Sequence, residues 1–125
     1  MGAAAGAQGV DAGAPAGDPG ARWSGGLHAA WENWVRGLEA IEGKSPHTVR
    51  AYADDTRGAL DRLSRAAGRE LEARDLDEGA VRAWLSFQNA RGDAPRSVNR
   101  RLAALRSFLR YLERRGWIEK DPSAA

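Results

Sequence analysis

Two stretches of the chain, SPHTVRAY at residues 45–52 and APRSVNRR at residues 94–101, write the same order 49 residues apart: proline, a basic residue, a hydroxyl residue, valine. Proline fits the first position of a helix, where its missing N–H would have no intrahelical partner, and Ser45 is a good cap before it. Each stretch is therefore expected to open a helix. A helix start offers free backbone N–H groups and the positive end of a dipole, and here each start also carries a basic residue and a hydroxyl: His47 with Thr48, and Arg96 with Ser97. That combination suits phosphate oxygens. Residues of the next turn, Arg50, Ala51, Asn99 and Arg100, are then placed to meet base edges in a major groove. The plainer readings stand beside this one. Thr48 and Ser97 can instead bond only their own backbone within the first turn, and His47 can be an uninvolved surface histidine.

Other chemistries are thin. The chain has no cysteine, so a disulfide framework, a thiolate metal site and a cysteine nucleophile are excluded. No metal or cofactor is expected. The glycine-rich start, MGAAAGAQGVDAGAPAGDPGARWSGG, has no Gly-Lys-Ser/Thr and no preceding strand, so it is not a phosphate loop. It also lacks the apolar core of a secretion signal, and residues 1–26 are expected to be a disordered low-complexity leader with no means of joining a core. Apolar runs fall far short of the roughly 20 residues that span a bilayer, so a soluble protein without a membrane partner is expected.

The net charge of +2 says little, but its distribution says more. Between residues 91 and 115 there are eight arginines against Asp93 and Glu113, which gives that segment +6 and leaves −4 for the remainder. Such a run is often only a solvated helix face, so its direction decides its meaning.

The elements that would position these residues are four helices. Leu27, Trp31, Trp34, Leu38 and Ile41 form one apolar stripe ending near Gly43. A second stripe, Val49, Ala53, Thr56, Leu60, Leu63 and Ala67, stops before Gly68, where a C-terminal glycine belongs. A third, short helix starts after Asp75 or Asp77, turns Val81, Trp84, Leu85 and Gln88 inward, and ends by Gly92. The fourth opens at Pro95 and carries Val98, Leu102, Leu105, Leu109 and Leu112 before Gly116. Taking about 100 degrees per residue, Arg96, Arg100, Ser107, Arg110 and Arg114 fall opposite that last stripe as a continuous basic face. On the second helix His47, Ala51 and Arg65 point outward with Arg50 at the flank, but so do Asp54, Asp55 and Asp61. Trp31, Trp34 and Trp84 read as core, while Phe87 lies off its stripe and is exposed, covered by a neighbour or part of a partner surface. No period-two alternation occurs, so the fold class is all-α: a compact four-helix bundle over residues 27–116, with residues 117–125 starting a linker broken at Pro122.

SPHTVRAYADDTRGAL, and then SVNRRLAALRSFLRYLERRGWIEKDPSA, resemble the N-terminal core-binding domain of Xer-type tyrosine recombinases, XerC-like proteins in particular. The resemblance runs from about Leu27 to Ala125. It implies a SAM-like bundle that clamps one face of a double-stranded DNA half-site, with His47, Thr48, Arg50, Ala51, Arg96, Ser97, Asn99 and Arg100 against the DNA. It also implies contact of the first helix with a second recombinase protomer or paralogue; a cytoplasmic location is expected, which the absence of cysteine suits. Leu27 and Trp31 are expected to be only half buried for that contact. One departure is Ala94, which stands where the family often has a capping serine and leaves the fourth helix less well capped unless Asp93 substitutes. The family's nucleophilic tyrosine and its phosphate-stabilising arginines, lysine and histidines belong to a second domain. No catalytic residue is assigned here: Tyr52 and Tyr111, with no Arg-His-x-x-Arg segment, read as packing or surface residues, so this stretch is expected to be the DNA-holding half of such an enzyme. Competing readings are the corresponding arm of a phage or mobile-element integrase, a protein-interaction module whose basic face meets an acidic partner, and a helix-turn-helix regulator. About ten residues between the second and third helices are too many for the tight turn of that last motif.

Overall fold

The computed structural model describes residues 20–124. Most of the expected leader therefore lies outside the described residues. Among the described residues four α-helices follow one another: α1 (Gly25–Ala40), α2 (Pro46–Ala67), α3 (Glu78–Arg91) and α4 (Pro95–Arg114). A single 3-10 turn, Ala73–Asp75, lies between α2 and α3. Among the described residues the only β pairing is an isolated bridge between Trp23 and Leu71.

The helix ends obey local chemistry. Ser45 caps α2, its hydroxyl accepting from the Thr48 N–H at 3.2 Å, with Pro46 in the first turn. Asp77, rather than Asp75, caps α3 by accepting from the Ala80 N–H at 2.8 Å. α2 stops at Gly68, whose φ of 68° is a left-handed conformation that a residue with a Cβ resists.

α2 and α4 make the most extensive helix contact, and α1 packs across both. Trp34 sits at the crossing. Its ring stacks on Tyr52 of α2 and tilts against Phe108 of α4, with centroids 6.4 and 5.2 Å away, and its indole N–H donates to Ser107 Oγ at 3.3 Å. Trp31 donates to Thr56 Oγ1 at 2.8 Å, and that hydroxyl in turn donates to the Tyr52 carbonyl. A buried indole N–H left without an acceptor is costly, so these two hydroxyls help fix how α1 lies on its neighbours.

The apolar stripes are largely as the pattern predicts, with instructive differences. Leu27 and Trp31 are fully buried core, which corrects the expectation of a half-buried contact surface there. The exposed member of that stripe is Ile41, at 86%, because α1 ends at Ala40 and Ile41 follows it as the C-cap. Ala67 is likewise exposed at the end of α2. Phe108 is completely buried beside the α4 stripe, since α4 is covered on more than one side. The connection from α2 to α3 also contributes core through Leu71, Ala73 and Leu76.

The expectation that residues 1–26 cannot join a core fails for residues 22–26. Gly25 and Gly26 belong to α1, and Ser24 caps it. The Ser24 N–H donates to the Leu71 carbonyl, the Leu71 N–H to the Arg22 carbonyl, and the Trp23 indole to Asp61 Oδ1, all at 2.8–2.9 Å. At the other end, residues 117–124 do not leave the bundle. The Trp117 ring lies over Gly26, so close that a Cβ there would meet it at 3.1 Å, and Asp121 is buried with its carboxylate accepting from Ser123.

These contacts make removal of residues 1–26 destabilising. Trp23→Ala alone is expected to cost about 2 kcal/mol, from lost ring packing and the lost indole hydrogen bond to Asp61. Urea unfolding reads the effect, and an unchanged midpoint in the truncated chain would contradict the docking described.

Candidate nucleic-acid interface

At the start of α2, His47 and Arg50 are exposed while Thr48 and Ala51 are half-buried. The Ser45 hydroxyl, besides accepting from the Thr48 N–H, donates to Thr48 Oγ1 at 3.1 Å. The Thr48 hydroxyl therefore has a local partner, the Ser45 side chain and not the backbone of the plainer reading, and its own O–H remains a donor. Among the described residues, His47 and Arg50 have no side-chain hydrogen bond or ion pair.

The start of α4 is barer. Ala94 is the N-cap and provides no side-chain bond. Asp93 does not substitute for it, because its carboxylate is taken by Arg91 and Arg101. Pro95 has no N–H to satisfy, but those of Arg96 and Ser97 remain at the positive end of the helix. Arg96 and Asn99 are exposed and Ser97 half-buried, and among the described residues none of their side chains has a hydrogen-bond or ionic partner.

One contact joins the two groups. Arg100 donates from Nε to Asp55 Oδ2 at 2.9 Å and from Nη2 to Asp55 Oδ1 at 3.0 Å. The Asp55 side chain is only 8% exposed and that of Arg100 54%, so the carboxylate lies beneath the guanidinium. This corrects the expectation that Asp55 faces solvent; Asp61 is also engaged, by the Trp23 indole. The hydrogen bond that Arg100 donates to Asp55, and the charge of that carboxylate, raise the pKa of Arg100 above its ordinary value. The neighbouring Arg101 has a structural role: it donates to Gln88 Oε1 and Asp93 Oδ2 and ties α4 to the end of α3.

The basic face of α4 is rotated from the one the apolar stripe implies. Ser107 turns inward to Trp34, and Arg106 is exposed in its place beside Arg96, Arg110 and Arg114. The burial of Ala104 and Phe108 on one flank moves the centre of the inward face and carries the outward face with it. Phe87 is covered: the guanidiniums of Arg62 and Arg91 lie 3.8 and 4.9 Å from its ring centroid. Tyr52 and Tyr111 pack on Trp34 and Phe108. Among the described residues no cluster of His, Asp and Glu is grouped to hold a metal ion, and no helix is long and apolar enough to cross a membrane.

Comparison with known proteins gives the family. Residues 31–116 match the family described as phage integrase, N-terminal SAM-like domain. The chain belongs to that family. Among relatives of this SAM-like domain, a tyrosine recombinase XerC of Rhodospirillum centenum is 39% identical over 77% of the chain and 29% of its own length. A XerC of Mesorhizobium japonicum is 37% identical over 79% of the chain and 33% of its own length, and a XerD of Brucella abortus 33% identical over 75% and 29%. The chain thus spans about a third of the curated relatives it matches. No solved structure matches.

The link between α3 and α4 in this SAM-like domain makes its stability acid-sensitive. Hydrogen bonds from Arg91, and secondarily from Arg101, pull the Asp93 carboxyl from its ordinary 3.8 down to about 2. A carboxyl lowered in the folded state stabilises above its unfolded value and loses that contribution as pH falls through the folded one. Thermal unfolding followed from pH 5 to 2 is therefore expected to show a decline between about pH 4 and 2 that is shallower in Asp93→Asn. Identical pH profiles for the two proteins would contradict the assignment.

Proposed function

We propose that this domain holds double-stranded DNA as the core-binding part of a site-specific tyrosine recombinase of the Xer type. The observation that carries the reading is the pair of helix openings on α2 and α4, where His47, Arg50, Arg96 and Asn99 stand exposed without intramolecular partners among the described residues. Membership of the integrase SAM-like family and relatives named as XerC and XerD recombinases support it.

In this reading Arg96 and Arg50 neutralise phosphates, His47, Thr48 and Ser97 donate orienting hydrogen bonds, and the free N–H groups of α4 add their partial charge. Arg100, Asn99 and Ala51 face the bases. Strand exchange, through a tyrosine joined to a 3′-phosphate, belongs to a separate catalytic domain, and a second protomer meets α1. The end of α1 at Ile41, rather than Leu27 and Trp31, is the apolar surface offered for that contact. The cytoplasm is the compartment in which such a domain meets DNA. The relatives' names favour the Xer reading over a mobile-element integrase.

Fluorescence anisotropy with duplex DNA tests the proposal. About 4 to 6 phosphate contacts give a log–log salt slope of about −4 to −5. Arg96→Ala is expected to weaken binding to all duplexes alike and to make the slope shallower by about 1. Absence of binding at low salt, or binding indifferent to salt, would favour a protein-interaction module instead.

A further inference from the structure

Resting on the DNA-binding reading, we propose that Asp55 is a positioning residue for sequence recognition, clamping the Nε edge of Arg100 so that the end-on edge is held out for a guanine in the major groove. A guanidinium has five N–H donors. The pair with Asp55 uses the Nε edge, one hydrogen from Nε and one from Nη2. That leaves the end-on edge, with one parallel hydrogen on each of Nη1 and Nη2, which can present the two-donor fork that guanine N7 and O6 accept.

The burial gradient fits this use. Asp55 is almost covered while Arg100 stands half in water above it, so the clamp is on the protein side and the free edge on the outside. Every other arginine near the two openings differs. Arg50 and Arg96 have no partner among the described residues and are free to follow phosphates, while Arg101 is spent on Gln88 and Asp93. A long side chain fixed before DNA arrives loses less freedom on binding, and a fixed direction discriminates between bases where a mobile cation would not. The covering guanidinium also shields a carboxylate that would otherwise repel the phosphates.

The test is selection of the full chain on a pool of randomised duplexes, with sequencing of the bound fraction, alongside thermal unfolding and the salt slope. The wild type is expected to enrich guanine at one position. Arg100→Ala loses that enrichment, Asp55→Asn reduces it about 5-fold or more with the salt slope unchanged, and the double variant behaves as Arg100→Ala. Arg100→Lys keeps a cation but lacks the planar fork that Asp55 aims, so it binds duplexes with a guanine enrichment reduced at least as far as in Asp55→Asn, whatever the stability of the Asp55 variant. An unaltered preference in a folded Asp55→Asn, a uniform loss of affinity across all duplexes there, or a full preference retained by Arg100→Lys overturns the clamp alone. A wild type that binds without guanine enrichment also overturns the clamp alone. A wild type that binds no duplex overturns the clamp and the DNA-binding reading together.

Discussion

A carboxylate drawn nearly out of water must be met by a cation, and Asp55 on α2 is met by Arg100 on α4. Removing one member of a fully buried ion pair costs about 3–5 kcal/mol, and this pair is worth less because its guanidinium is half in water. Its importance lies in where it sits. It joins the third turn of one helix to the second turn of another, so the two openings that carry the proposed DNA contacts are held in a fixed relation to each other. With the packing beneath it, the pair makes the basic residues of α2 and α4 one surface.

Beneath that pair the relation is fixed again by packing. Trp34 of α1 touches α2 through Tyr52 and α4 through Phe108 and Ser107, and Trp31 adds the hydrogen bond to Thr56. Aromatic rings supply buried area, and their single polar atoms supply direction. The N-terminal residues 22–24 extend the same device, with Trp23 donating to Asp61 while the neighbouring backbone pairs with Leu71. A domain of this size has a limited core, and a rigid presentation of surface arginines depends on such directed contacts.

Local chemistry made much of this readable in the sequence. Ser45, Pro46, Asp77, Pro95 and the glycines at positions 68 and 92 marked helix ends, and the apolar spacing marked Trp34, Leu60, Leu105 and Leu109 as core. Contacts between distant residues were not readable. Arg100 and Asp55 are 45 positions apart, and nothing in either stretch announces the pair. Ser107 falls outward on the single apolar stripe, but α4 is buried on more than one side, which also takes Phe108 inward and leaves Arg106 outside. Ile41 looked inward because periodicity does not say where a helix stops. Trp23 was hidden in a glycine-rich stretch whose composition argued against any core.

The most direct test of the account is amide and arginine side-chain NMR of the full chain titrated with duplex DNA. The account predicts that the largest shifts fall on residues 47–51 and 96–100, with the Arg100 Nε signal among them and the signals of Leu27, Trp31 and Trp34 little changed. Shifts concentrated on Arg110 and Arg114 or on α1, with both helix openings silent, would contradict it.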